Sequence, residues 1–442
     1  MAMMNMWTGK VESGARSFVN KFLERFISTG SLTILDDGTS TTFQGVDGND
    51  HLKACLTLQN QQFYWKVMTR SEIGVADAYI EGDIDFADKD QGLLAFLVLL
   101  IANRDHNKWL SKSNSTSGWW TPLVLTSAAS SANFFLHHVM RNNSLTQARR
   151  NISRHYDLSN EFFALFLDET MTYSTGIFKN GEDEDLKGAQ LRKISSLIEK
   201  GRIGEKQQVL EIGCGWGSFA IEVVKQTGCF YTGITLSQKQ LQYAQAKVNE
   251  AGLQDAIQLL LCDYRELPKT KKYDRIVSCE MIEHVGHEYM DEFFASCQSV
   301  LAKDGLFILQ FISVADERYD QYRQSSDFIK EYIFPGACVP SFSRVVAAMN
   351  ASSGLCVEHA ENIGSHYYYT LRLWRKNLLK NKSKIMEMGF DEKFIRTWEY
   401  YFDYCAAGFK TYTLGDYQVV FSRPGNLMAL GDPYKRFPSA YY

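Results

Sequence analysis

The 442-residue chain has no excess of positive charge: 47 Lys and Arg stand against 51 Asp and Glu, a formal net charge of −4. Without a global positive field to collect phosphates, a dedicated nucleic-acid binder is excluded, although local basic patches remain open. There is no C-x-x-C pair; the 9 cysteines are scattered singly from Cys55 to Cys405. Met1 to Lys21 also lack the uninterrupted apolar core of a secretory signal, so free thiols in a reducing, cytoplasmic setting are expected. No apolar run is long. The longest, Leu93 to Ala102, is about half of the roughly 20 residues a bilayer-spanning helix needs, which leaves a core helix or an interfacial element.

What is present is an ordinary globular composition, 45% hydrophobic with 22% charged residues, on a chain long enough for two domains. Residues 1–110 read as a small α+β domain. Helical spacing is seen around Ser17–Phe26 and from Trp65 to Tyr79, and short strands at Leu32–Leu35 and Leu56–Leu58 are set off by turn clusters at Asp36-Asp-Gly38 and Gly45-Val-Asp-Gly48. Residues 111–148 begin with the serine-rich Ser111–Ser117, a linker signal, and continue through Trp119-Trp120 into a stretch that either packs as a helix or lies against lipid.

From residue 149 to 442 strands and helices alternate. Strands are expected at Gln208–Ile212, Cys229–Thr235, Ile257–Leu261, Tyr273–Ser278 and Gly305–Phe311, with helices at Ser218–Lys225, Gln238–Ala251 and Tyr289–Leu301. Such alternation predicts an α/β, doubly wound parallel sheet, with ligands bound beyond the carboxyl ends of the strands.

The first of those strands runs into Glu211-Ile-Gly213-Cys-Gly215-Trp-Gly217. Missing Cβ atoms in a strand-to-helix turn let a ligand lie against the backbone, although an ordinary tight turn uses the same residues. The spacing is E-x-G-x-G-x-G rather than the G-x-G-x-x-G of dinucleotide binders, and matches the first motif of the S-adenosylmethionine-dependent methyltransferases. Thr235 and Gln240 close the second strand, where a ribose is held by polar side chains. After the third strand Asp263 can accept from an adenine amine while Tyr264 packs on the ring; a plain N-cap at Ser237 is the bland alternative in this region.

The fourth strand ends in Glu280-Met-Ile-Glu283-His284-Val-Gly-His287, the richest titratable cluster of the chain. H-x-x-H beside a Glu is one way to hold zinc, but no further ligand cluster accompanies it, and base or anion-holding chemistry fits better; no metal is expected.

Several stretches taken in order resemble the cyclopropane fatty acid synthase family, including the mycolic acid cyclopropane synthases. They are Arg154 to Phe163, Met171-Thr-Tyr173-Ser174, Leu210 to Gly217, Ile282-Glu283-His284-Val-Gly286 and Ile333-Phe-Pro-Gly336. The likeness spans about Arg149 to Pro424, and Gly74 to Gly82 resembles the N-terminal domain of the phospholipid-acting members.

The resemblance implies a Rossmann-like class I methyltransferase with a helical cap, joined to the small N-terminal domain. It implies S-adenosylmethionine as cofactor and an unsaturated phospholipid in the membrane surface as partner, the enzyme being peripheral; a homodimer is allowed. Methylene transfer to a cis double bond follows, with loss of a proton closing the ring; the alternatives are a transferase of the same family that methylates without ring closure, an amine N-methyltransferase, and a lipid-binding protein that keeps the fold without turnover. Tyr173 and Ser174 join the cofactor residues. In the family a bound bicarbonate takes the proton, and its carried-over holders are Glu283, expected to be ionised, Tyr367 and the backbone at Ile312. Thr175 stands where many relatives have cysteine, and its hydroxyl can still donate. Gln310 stands where the family has histidine, and anchors without storing a proton. Glu280 stands where several bacterial relatives have glycine. Cys405 matches a family active-site cysteine, or is a buried core thiol. Arg149, Arg150, Arg154 and Lys330 are candidates for lipid phosphates.

Overall fold

The computed structural model describes residues 2–46, 51–110, 158–427 and 439–441. The expected linker 111–148, with Trp119 and Trp120, and the basic residues Arg149, Arg150 and Arg154 lie outside the described residues. The chain divides into two compact units. The first comprises Met1–His137, Gln324–Ile333 and Leu378–Thr411, and the second His138–Arg323, Phe334–Asn377 and Tyr412–Tyr442. The unbroken stretch 149–442 read from the sequence is therefore interrupted twice.

The reason lies in one helix. Glu392–Lys410 is strongly amphipathic, burying Ile395, Trp398, Tyr400, Tyr401, Phe402 and Phe409, and it packs on the helices Gly92–Leu110 and Gln62–Glu81 of the first unit. Tyr400 meets Tyr79 with ring centroids 5.8 Å apart. Arg396 lies 4.0 Å over the Tyr79 ring and donates to the carbonyls of Tyr79 at 2.6 Å and Ile84 at 3.0 Å. A hydrophobic stripe needs a partner face, and here sequence-distant helices supply it.

The sheet of this unit has strands β1 (Ser31–Asp36), β2 (Thr39–Gln44), β3 (Lys53–Leu58) and β4 (Ile84–Phe86) in the order β2-β1-β3-β4. β1 and β3 run parallel while both outer pairs are antiparallel. The turn signals after Leu35 thus mark a hairpin whose second strand, polar and mostly exposed, carries no apolar alternation to betray it. The run Leu93–Ala102 is a core helix, Gly92–Leu110, burying Leu93, Leu94, Leu97, Leu99, Leu100 and Ile101. Its Asn103 side chain accepts from the amides of Ser28 and Thr29 at 2.6 and 2.9 Å and donates to the Thr29 carbonyl at 2.9 Å. No helix among the described residues is long and apolar enough to cross a membrane. Lys330, a candidate for lipid phosphate, is buried instead: its ammonium donates to the Ser325 carbonyl at 2.7 Å and pairs with Asp327 at 3.6 Å.

The second unit is built on a seven-stranded sheet of β5 (Gln208–Ile212), β6 (Phe230–Thr235), β7 (Ile257–Leu261), β8 (Tyr273–Cys279), β9 (Leu301–Val314), β10 (Cys356–Asn362) and β11 (Leu414–Ser422), ordered β10-β11-β9-β8-β5-β6-β7. β5 to β9 pair in parallel, as expected. The sheet is nonetheless mixed, since β11 pairs antiparallel with β9 and β10 antiparallel with β11. Alternate side chains feed two cores. Leu210, Ile276 and Phe307 enter one and Val209, Val277 and Ile308 the other, so each central strand is apolar on both faces.

Candidate active site

A pocket opens within the second unit at the carboxyl ends of β5, β6, β7 and β8. Its floor is the turn after β5, where Gly213, Gly215 and Gly217 have φ of +89°, +51° and +88°, a conformation that costs an L side chain strain but glycine none. Gly213 and Gly217 also lack room: an added Cβ stands 2.9 Å from Met281 Cγ or from Ala244 Cβ. A Cβ on Gly215 meets nothing within 4 Å, so that position opens onto free space where a ligand can approach the backbone.

Of the ten residues assigned to the cofactor, Tyr173, Ser174, Glu211, Gly213, Gly215, Thr235, Gln240, Asp263 and Tyr264 line the pocket, and Gly217, packed on Ala244, does not. Tyr173 is held in an aromatic cluster, 5.1 Å from Trp374 and 5.5 Å from Phe163 between ring centroids. Thr235 donates to Gln240 Oε1 at 3.0 Å, while Ser237 caps the helix Gln238–Glu250 by accepting from the Gln240 amide. Burial pushes the Glu211 carboxyl up to about 7 despite a bond from Tyr231 and nearby Lys193. Asp263 Oδ1 accepts from the Arg265 amide at 3.0 Å and from its Nε at 2.9 Å, and Oδ2 accepts from its Nη2 at 2.9 Å, which leaves a lone pair on Oδ2 for an adenine amine. Carboxylates on two strand ends, and an Arg265 already paired, suit a cationic cofactor without phosphate. The residues fit S-adenosylmethionine.

At the mouth of β8 stands the feature that sequence spacing did not expose. Glu280 is held at φ +49°, left-handed for a non-glycine residue, which is strained by about 1–3 kcal/mol and persists only where surrounding contacts fix it. Those contacts converge on its carboxylate. Ser174 Oγ and Gln310 Nε2 each donate to Oε1 at 2.8 Å, the Thr175 amide donates to the same oxygen at 3.3 Å, and the Tyr367 hydroxyl donates to Oε2 at 2.7 Å. Four donors aimed at one carboxylate fix its position and orientation.

The residues expected to surround a bicarbonate are thus brought together, but differently from the expectation. Tyr367 and Gln310 face Glu280. The Ile312 amide donates to Glu283 Oε1 at 2.6 Å, and Glu283 Oε2 is buried without a hydrogen-bond partner. Glu283, expected to be ionised, is pushed up to about 8 by burial first and by Glu280 second, so it is mainly protonated at neutral pH. The Thr175 hydroxyl turns away from the cluster to the Gly176 carbonyl at 3.0 Å; only its amide participates. Cys405 lies on Glu392–Lys410 in the first unit, its thiol pushed up by burial and by Asp327.

His284 packs half-buried against Phe334, with centroids 5.4 Å apart, and desolvation drives its imidazole down to about 4. His287 shares a hydrogen bond of 2.8 Å with the Tyr319 hydroxyl. Among the described residues no group of three His, Cys, Asp or Glu side chains is placed to hold a metal ion.

Two functional residues were not singled out in advance. Lys193, buried on Leu186–Lys200, lines the pocket and reaches Cys279 Sγ at 3.7 Å; a lysine at an apolar-spaced position beside Ile194 and Leu197 was its signal. Asp416, fully buried on β11, accepts from Gln310 Nε2 at 3.0 Å. Its signal was a carboxyl inside Leu414-Gly-Asp-Tyr-Gln-Val-Val-Phe421, a strand otherwise apolar toward its end.

A glycine turn on the first strand of a doubly wound sheet, with polar side chains waiting at the next strand ends, defines a class I S-adenosylmethionine-dependent methyltransferase. Residues 143–419 match the sequence profile of the mycolic acid cyclopropane synthetase family. The chain belongs to that family. It is 38% identical over 288 residues to tuberculostearic acid methyltransferase UfaA1 of Mycobacterium tuberculosis, covering 64% of this chain and 67% of that one. It is 34% identical over 269 residues to the cyclopropane-fatty-acyl-phospholipid synthase of Escherichia coli K12, covering 61% and 66%. Among solved structures, mycolic acid cyclopropane synthase CmaA1 complexed with SAH and CTAB superimposes with a TM-score of 0.58 at 30% identity, over 62% of this chain and 98% of that one.

Proposed function

We propose that this methyltransferase transfers a one-carbon unit to the cis double bond of an unsaturated phospholipid acyl chain at a membrane surface and closes a cyclopropane ring, with Glu280 taking the proton. The observation that carries the reading is the convergence of Tyr367, Gln310, Ser174 and the Thr175 amide on the Glu280 carboxylate. The likeness to a cyclopropane-fatty-acyl-phospholipid synthase supports the ring; the likeness to a fatty-acid-modifying methyltransferase supports an acyl substrate either way.

When bound, S-adenosylmethionine supplies an electrophilic methyl on a sulfonium. The alkene is a weak nucleophile that no side chain needs to deprotonate, so the protein's part is positioning and exclusion of water. Tyr173 and Tyr367 present aromatic rings in a cluster with Trp374, and such rings stabilise cationic charge. As the carbon–sulfur bond breaks, the alkene's electron pair forms a carbon–carbon bond and leaves a cation on the neighbouring carbon. A C–H bond of the new methyl then breaks, its electrons close the ring, and Glu280 accepts the proton. Glu283, neutral, puts no second negative charge beside Glu280. A protein carboxylate thereby fills the role that bicarbonate has in relatives carrying glycine at this position.

The test is mass spectrometry of vesicles bearing monounsaturated chains after incubation with the protein and S-adenosylmethionine carrying a deuterated methyl. A product one methylene heavier, short of one deuteron and resistant to hydrogenation establishes the ring. A product that takes up hydrogen, or that keeps all three deuterons, overturns ring closure in favour of methylenation or methylation.

A further inference from the structure

The base has a second carboxyl behind it. Asp416 is 0% exposed. Its Oδ2 accepts from Gln310 Nε2 at 3.0 Å, the same amide nitrogen that donates to Glu280 Oε1 at 2.8 Å. Its Oδ1 is buried with no donor aimed at it. One amide nitrogen thus bridges the Asp416 and Glu280 carboxyls. Two carboxylates cannot face one another without a proton between them, because in a buried setting both the desolvation and the mutual repulsion oppose the second charge.

We propose that Asp416 is a positioning residue that stays protonated through the reaction and donates its proton in a hydrogen bond to Glu280, holding that carboxylate aimed at the reacting carbon. The groups facing Asp416 agree with this assignment. Glu280 and Glu283 follow β8, and both raise its affinity for a proton; Lys193 lowers it. Cys279, Lys200 and Tyr441 also feel its charge. Lys200 is already committed to Gln418 Oε1 at 2.6 Å and to Glu361, and Lys193 bonds Cys279. Neither lysine forms an ion pair with Asp416. Burial and the two neighbouring glutamates together push its carboxyl well above the ordinary range.

The arrangement has a consequence for turnover. Gln310 fixes both carboxyls through one nitrogen, which also reaches Ser174 Oγ at 3.2 Å, and its own Oε1 accepts from Gln418 Nε2 at 2.9 Å, so the amide cannot flip without losing four bonds. Glu280 therefore meets substrate in one orientation, with one proton already assigned to its neighbour.

This inference deepens the reading of Glu280 as the base and rests on it for its catalytic meaning, but the protonation of Asp416 is tested separately. Asp416→Asn preserves a donor to Glu280, whereas Asp416→Leu removes it. Turnover of Asp416→Asn is expected within about threefold of wild type with an unchanged pH profile. Asp416→Leu is expected to lose at least tenfold in kcat with little change in KM. The wild-type minus Asp416→Asn infrared difference spectrum, taken at neutral pH on the full chain, is expected to show one carboxylic-acid C=O stretch absent from the variant; this readout needs no turnover and holds even where Asp416→Leu fails to fold. A carboxylate band in its place, or a tenfold loss in Asp416→Asn, overturns the assignment. Full activity of Glu280→Gln overturns the base instead and leaves the infrared result to decide Asp416 by itself.

Discussion

The Tyr367 hydroxyl donates to Glu280 Oε2 at 2.7 Å, joining a helix to a strand end 87 residues earlier in the chain. The bond places a phenol and a carboxylate at one point of the pocket rim, and it makes Glu280 the hub of the site. General-base catalysis typically contributes about 10²–10⁴-fold. Glu280→Gln keeps the shape and removes the base, so turnover should fall at least a hundredfold while cofactor affinity, measured by calorimetry, stays within a few-fold. Tyr367→Phe, which loses one of four donors, should fall less, by about tenfold.

Bicarbonate offers a sharper discrimination. If Glu280 is the proton acceptor, wild-type turnover should be unchanged in bicarbonate-free buffer. Glu280→Gly relieves the φ of +49°, opens the space the carboxylate fills and should be nearly inactive until bicarbonate is added back. Wild-type activity that collapses on bicarbonate removal, or a glycine variant indifferent to the anion, would sink the idea.

Glu283 gives a pH signature in stability. Its folded-state carboxyl titrates at about 8 rather than the ordinary 4.5, chiefly through burial. The native state therefore binds more protons than the unfolded chain between those values, and stability declines as pH rises from about 4.5 to about 8, by about 1.4 kcal/mol per unit at most. Glu283→Gln removes the titration. Its melting temperature relative to wild type should climb across this window, and a pH-independent difference would contradict the assignment.

The glycine turn separates strain from ligand contact. Gly217→Ala combines φ +88° with a Cβ 2.9 Å from that of Ala244, and should cost about 2 kcal/mol in denaturant unfolding. Gly215→Ala meets no protein atom within 4 Å and should cost about 1 kcal/mol. The order reverses for the cofactor: the methyl on Gly215 enters the pocket, so its affinity should drop at least tenfold, more than for Gly217→Ala.

The central strands were legible because their physics is local. β5 and β7 fall where the apolar runs and turn signals put them, and Ser237 caps its helix as a serine before Gln238 should. β10 escaped notice because Cys356–Asn362 is an edge strand with mixed exposure and no apolar face to report it. In the site, Glu283, Gln310, Tyr367 and Ile312 were found through motif, but their pairing was not. The contacts that matter, Ser174 with Glu280 and Gln310 with Asp416, cross 106 residues each, and no spacing rule reaches that far. Glu280 was noticed as an oddity; its meaning needed the backbone conformation and four donors that only the folded chain assembles.

The helix Glu392–Lys410 completes a hydrophobic unit whose sheet lies about 300 residues earlier in the chain. On a ribosome adding about 5–20 residues per second, the strands β1 to β4 emerge tens of seconds before the helix that covers their partner helices. During that interval the faces of Gln62–Glu81 and Gly92–Leu110 are uncovered, and the nascent chain must be kept from aggregating by other means. The unit is started early in the chain and finished late, so residues 1–110 expressed alone lack the surface that closes them.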